Sequence, residues 1–305
     1  MRTEPGYELP YAHPAVRDLA FLLTSPSPWL CGADFPPERL LGLDGAARLA
    51  ELDRSPAALE AWLAAAPATR LGKYAERLYA FWFRHAPHIE LVAENLQVLN
   101  RERRVIGEFD FLLRLDGEPW HLETASKFYL QTGDTLEDLI GPGLNDAWRL
   151  KETKNATQLR LSRHPDALPY LPAGFERCRA ASRLSGWFFY PADQTLPTLL
   201  SPGQLHGWHA PLQENWPRRC GDSRWAWLPR LSWLAPARLD ESRVQNEPAL
   251  REQLLAVPSP QLVAELRPGA DGAWHEAARV FATPPGWPDP SRLAALRQRV
   301  AAART

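Results

Sequence analysis

The chain has 305 residues, of which 45% are hydrophobic and 23% charged, and its formal net charge is −1. This is the composition of an ordinary globular protein, long enough to bury a real core in one large domain or two smaller ones. A charge balance this close to zero supplies no overall attraction to nucleic acid or anionic membrane, so any such binding needs a local patch.

Three cysteines, Cys31, Cys178 and Cys220, lie far apart with no paired spacing. They point to neither a disulfide framework nor a zinc site and fit a reducing cytoplasm. The start, "MRTEPGYELPYAHP", has neither the basic opening nor the apolar run of a signal peptide. "LAFLLTSPSPWL" is too short and too broken by proline to span a bilayer. A cytoplasmic protein with no membrane partner is expected.

Residues 1–66 read as a helical lead-in with Pro-rich joints. "DGAARLAELD" is one helix, and "SPAALEAWLAAAP" is another, with Ser55 as its N-cap and Pro56 at its first turn. In "ATRLGKYAERLYAFWFRHAP", Leu71, Tyr74, Ala75, Leu78 and Trp82 recur at helical spacing, with Lys73, Arg77 and Arg84 on the opposite side. "HIELVAENLQVLN" alternates as a strand, and "RERR", Arg101 to Arg104, reads as a solvated connector. A hairpin follows. "NDAWRLKETKNATQLRLSRH" is the next helix, with Asn145 as its cap, and "GWFFYP", Gly186 to Pro191, is a short buried strand.

This order predicts an α/β core over residues 67–192, a mixed sheet flanked by helices. Residues 193–305, rich in Trp and Pro, read as a mixed or β-rich extension. Most of the 13 tryptophans are expected to pack rather than to bind. His206 and His209 in "HGWH" have a metal-like spacing, but the nearby Pro and Gly argue for a loop there.

The hairpin "GEFDFLLRLDGEPWHLETASKFYL" turns at Asp116-Gly117, a pair that favours the tight primed turn. Counting outward pairs Leu115 with Glu118, Leu113 with Trp120, Phe111 with Leu122 and Asp110 with Glu123. One face then carries Phe109, Phe111, Leu113, Trp120 and Leu122. The other carries Glu108, Asp110, Glu123 and, further along, Lys127. Opposed acids repel, so a shared proton, a basic side chain or a bound cation must offset them. A hard divalent cation suits carboxylate oxygens. A plain solvated face, with Lys127 paired to Glu108, is the competing reading.

Several linked stretches, "GEFDFLL", "HLETASKFYL", "GPGLNDAWRLK", "LHGWH", "LSWLAP" and "RVFATPPGWP", resemble the bacterial family known as domain of unknown function 1853. That family is similar at the fold level to the PD-(D/E)XK nucleases, in the RecB-like branch. The resemblance implies a restriction-endonuclease-like core with a site for Mg²⁺ or Mn²⁺. Asp110 and Glu123 match the strand acids, Gly72 and Glu76 match the pair on the first helix, and Gln158 matches a glutamine on the following helix.

Two departures stand beside the match. Ala125 occupies the usual lysine position, with Lys127 two residues on, and Ser162 stands where an aromatic is usual. The expected catalytic residues are Asp110, Glu123 and Lys127, with Glu76 and Glu108 as further metal ligands. Lys151, Lys154 and Gln158 on one helical stripe would contact nucleic acid. A metal-dependent nuclease or phosphodiesterase acting on DNA is the first expectation. A non-catalytic relative of that fold, binding nucleic acid or a protein, is the second.

Overall fold

A computed structural model describes residues 7–194, 199–217 and 221–303, so Cys220 lies outside it. The chain is a mixed α/β protein. Its helices are α1 (Pro14–Thr24), α2 (Pro37–Leu41), α3 (Gly45–Arg54), α4 (Ala57–Ala65), α5 (Leu71–His85), α6 (Trp148–Leu159), α7 (Glu247–Leu254) and α8 (Pro290–Ala302). Its strands are β1 (Ile89–Leu99), β2 (Val105–Leu115), β3 (Glu118–Gln131), β4 (Leu139–Ile140), β5 (Arg179–Pro191), β6 (His206–Pro211), β7 (Arg224–Trp227), β8 (Arg238–Leu239), β9 (Gln261–Pro268) and β10 (Trp274–Thr283). Among the described residues no helix is long and apolar enough to cross a membrane.

The chain divides into two compact units, and neither is contiguous in sequence. The hairpin unit is Ala15–Ser126 with Glu152–Ser185; the C-terminal unit is Met1–Pro14, Lys127–Lys151 and Gly186–Thr305. The segments expected from composition, 1–66, 67–192 and 193–305, are therefore cut differently here. Strands β3 and β5 each begin in one unit and end in the other.

In the hairpin unit the strand order is β1-β2-β3-β5. Helix α5 forms because its apolar residues repeat at helical spacing, and Leu71, Ala75, Leu78 and Trp82 are buried as that pattern requires. Tyr74, on the same stripe, reaches Asp18 through its hydroxyl at 3.0 Å. The β2–β3 turn takes positive φ at both Asp116 (52°) and Gly117 (82°), the geometry that matches strand twist. The pairs Leu115↔Glu118, Leu113↔Trp120 and Phe111↔Leu122 follow as the turn dictates. Phe111 packs on Phe83 and Tyr79 of α5, with ring centroids at 5.0 and 6.3 Å.

Helix α6 begins at Trp148, so Asn145 is not its cap. The residues before it form turns and bends up to a bridge of Ala147 to Ile140, and the Asp146 side chain is held by Lys127, Tyr129 and the Ala147 N–H. Helix α4 likewise starts after Pro56, without a side-chain cap from Ser55. Strand β5 starts seven residues before the apolar run that announced it. Its first half includes Arg183, fully buried yet bonded to the carbonyls of Leu22, Ser25 and Leu184. A charged side chain is tolerated in the core only with such partners.

In the C-terminal unit the order is β5-β6-β10-β9-β7, with β4 on β3 and β8 on β10. Strands β5, β6 and β10 run parallel, and the β10–β9 and β9–β7 pairs are antiparallel. Nine of the 13 tryptophans are buried, which makes packing their main use. Trp208, Trp216 and Trp225 form one aromatic cluster with Leu250, Val263 and Val280.

Candidate functional site

The acids of the hairpin do not share one face. Ladder β1–β2 passes from Glu94↔Phe111 to Leu96↔Phe109, and between them Asn95 adopts a left-handed backbone with φ 51°. In a regular strand Phe109 and Phe111 would lie on the same side. Here Phe111 meets α5, whereas Phe109 packs with Val98, Leu112, Leu161 and Phe175 on the other side and lies 4.7 Å from the His121 ring. The expected apolar face is thus split at Asp110, a local irregularity of the kind that re-aims side chains.

Asp110 turns to Thr124. Its Oδ2 accepts the Thr124 backbone N–H at 2.8 Å and the hydroxyl at 3.2 Å. The recorded β2–β3 ladder ends one pair earlier, at Phe111↔Leu122, so a carboxylate takes over where backbone pairing stops. Glu123 bonds instead to His121 Nε2 at 2.7 Å, with both side chains buried (4% and 0% exposed). His121 thus engages Glu123 through Nε2, and its Nδ1 has no hydrogen-bond partner among the described residues. The pairing of Asp110 with Glu123 expected from counting is therefore replaced by Asp110–Thr124 and Glu123–His121.

What offsets the remaining acids is a lysine. Lys73 of α5 donates to Glu76 at 2.6 Å and to Asn95 Oδ1 at 2.8 Å. Partial burial works against its charge, but the hydrogen bond to Glu76 and the fields of Glu76, Glu108 and Asp110 outweigh that and raise its pKa above the usual lysine value. Lys73 thus pairs directly with the acid of α5 and feels the field of the two acids of β2. A cleft of about 260 Å³ adjoins it, lined by Trp62, Lys73, Glu76, Arg77, Glu94 and Asn95 among others. Arg77 and Arg84 lie over the Trp62 ring at 4.8 and 5.6 Å, and Arg84 pairs with Glu94 at 2.7 Å.

The fit of a divalent metal is decided by the donor set. Among the described residues no three His, Cys, Asp or Glu side chains are grouped so as to hold an ion. Glu123 is committed to His121, and the convergent charge near Glu76, Glu108 and Asp110 is that of Lys73. The residues as arranged do not fit Mg²⁺ or Mn²⁺.

The other expected residues are dispersed. Lys127 belongs to the C-terminal unit, where its ammonium pairs with Asp146, whose Oδ2 also accepts from the Tyr129 hydroxyl at 3.3 Å. Lys151 lies in the same unit, at its chain boundary. Gln158 and Lys154 are in the hairpin unit, and Gln158 donates to the Glu108 carbonyl at 3.0 Å. His206 and His209 lie on strand β6, not on a loop. They bond to the carbonyls of Gln204 and Gln131 at 3.3 and 2.8 Å.

Sequence reasoning missed Lys73, Asn95, Thr124 and His121. Two of these had a readable signal: Lys73 stands three residues before Glu76 on a helix, and His121 two before Glu123 on a strand. It named Arg101 to Arg104 and Lys154 separately, without placing them at one basic end. Arg101, Arg103, Lys154 and Arg160 are all exposed, and none has an acid partner among the described residues. The β1–β2 connector follows Leu99, while Gly107 and Glu108 contact Leu161 and Gln158, so connector and α6 lie at the same end of this unit.

A family model described as "Domain of unknown function (DUF1853)" matches residues 17–282. No curated protein and no solved structure matches the chain.

Proposed function

The chain belongs to the DUF1853 family, and on that footing we propose that it is a nuclease-like protein of the PD-(D/E)XK type that binds nucleic acid without hydrolysing it. The carrying observation is the basic end of the hairpin unit, where Arg101, Arg103, Lys154 and Arg160 are exposed and without acid partners among the described residues. Exposed, unpaired cations at one end of a unit are what a phosphate backbone engages, through release of its counterions. The order α5, β1, β2, β3, α6, β5, with the two-residue β4 as the only strand between β3 and α6, supports the scaffold side of the reading. The absence of turnover rests on Thr124 meeting Asp110 while Glu123 and Lys127 are bound to His121 and Asp146.

One observation favours a second reading, a nuclease using Mg²⁺ or Mn²⁺. Glu76, Glu108 and Asp110 all act on Lys73. Once Lys73 gives way, the carboxylate paired to it and the two acting on it are oxygen ligands of the kind a divalent cation takes.

The deciding experiment incubates linear single- and double-stranded DNA with wild type and Asp110→Asn, with Mg²⁺ or Mn²⁺, and measures binding of the same DNA by fluorescence anisotropy. Salt-sensitive binding with no cleavage is expected. Cleavage by wild type that disappears in Asp110→Asn would install the hydrolytic reading. No binding by folded protein would sink both.

A further inference from the structure

A second cleft, of about 250 Å³, lies wholly within the C-terminal unit and is lined by Pro142, Gly143, Arg230, Trp233, Ser259, Pro260 and Gln261. Its lining contains one charged side chain, Arg230, and no acid. The Arg230 guanidinium rests 4.8 Å from the Trp233 ring, and it makes no hydrogen bond or ion pair among the described residues. Trp233 is itself fixed: its indole N–H donates to the Leu228 carbonyl at 2.9 Å, and its ring meets Phe128 and Phe281 edge-on.

The rest of the lining is short of acceptors in the same way. The Gly143 carbonyl accepts from Arg292 at 2.5 Å, while the Gly143 N–H has no acceptor among the described residues. Ser259 accepts from the Gln261 amide through its hydroxyl and carbonyl oxygens, which leaves the hydroxyl proton to donate. Gln261 is held in turn, its Oε1 accepting the Trp227 indole N–H at 3.0 Å. The cleft therefore brings the Arg230 guanidinium together with Gly143, whose N–H is unused among the described residues, and Ser259, whose hydroxyl can donate, beside the apolar residues Pro142, Pro260 and Trp233.

We infer that this cleft is a binding site for a small oxyanion, a phosphate or carboxylate group carried on a compact ligand with an apolar or flat part. A planar guanidinium fork suits both groups, and its stacking on Trp233 holds it ready. The inference stands apart from the nucleic-acid reading, since it uses other residues in the other unit.

The test titrates the full chain with inorganic phosphate and, separately, with acetate, at constant ionic strength set with chloride, and follows tryptophan fluorescence. A saturable change is expected by about 10 mM with at least one of the two anions. Response to phosphate alone assigns a phosphate ligand, and response to acetate alone a carboxylate. The exposed Arg230→Ala variant should bind about tenfold more weakly or worse, and Ser259→Ala detectably more weakly, with unchanged unfolding midpoints. An equal response in Arg230→Ala, or no saturable response to either anion, would overturn the site.

Discussion

The Asp110 carboxylate receives both the backbone N–H and the hydroxyl of Thr124, at the point where the β2–β3 ladder ends. A side chain here does the work of a backbone carbonyl. Removing it leaves an N–H and a hydroxyl without that acceptor, so Asp110→Ala should cost about 1–3 kcal/mol of stability. Thr124→Val keeps the backbone bond and should cost less. Urea unfolding of the two variants beside wild type checks the ranking; equal losses would contradict it.

His121 and Glu123 form a buried pair inside the hairpin unit. Removing one partner of such a pair strands the other, typically at about 3–5 kcal/mol. Glu123→Ala should therefore destabilise strongly, and Glu123→Gln, which keeps an acceptor for His121, clearly less. If Glu123→Ala unfolds at the wild-type denaturant concentration, Glu123 is not the structural acid described.

The basic end makes a quantitative claim about salt. Each cation that contacts a phosphate contributes about 0.9 to the slope of log K against log salt on duplex DNA. Alanine at Arg101, Arg103, Lys154 and Arg160 together should weaken DNA binding across sequences and flatten that slope by up to about 3.6. An unchanged slope would place the contacts elsewhere.

His209 is partly buried, with Nε2 on the Gln131 carbonyl. Burial lowers its pKa below the ordinary value of 6.5, against the opposing pull of that hydrogen bond and of Asp193. The unfolded chain then binds a proton that the folded chain refuses, so stability rises with pH over that window. Acidifying from about 6.5 toward the lowered folded value should therefore reduce stability. His209→Gln should flatten this part of the pH profile, as thermal unfolding over a pH series would show.

Gly186 has φ 142°, and a Cβ built there would lie 1.8 Å from the Lys127 carbonyl oxygen. The obstacle is backbone and cannot swing aside. Gly186→Ala should cost about 3 kcal/mol or more, or prevent folding, whereas Gly272→Ala, with open space around it, should be far milder. Comparable soluble yields and melting temperatures for the two variants would argue against the close approach.

Much of the local structure was readable from residues alone. Periodicity marked α5 and β1, and Asp116-Gly117 set the hairpin turn and with it the register from Leu115↔Glu118 to Phe111↔Leu122. These follow from short-range rules, since spacing and turn chemistry act over a few residues. The limit came at Asp110, where counting assumes an unbroken alternation. Asn95 on the neighbouring strand is left-handed, and Phe109 and Phe111 go to opposite sides, so register carried past that point assigned Glu123 the wrong partner.

By itself, then, the sequence determined α5, β1, the hairpin register near its turn, and the need to offset clustered acids. Only the tertiary structure decided what meets those acids. Lys73 reaches Asn95 from 22 positions away, Lys127 goes to Asp146, and the donors of the oxyanion cleft come from stretches as distant as Gly143, Arg230 and Ser259. Propensity and spacing are local, whereas which long polar side chain reaches which buried acid depends on how helices and strands pack across the chain.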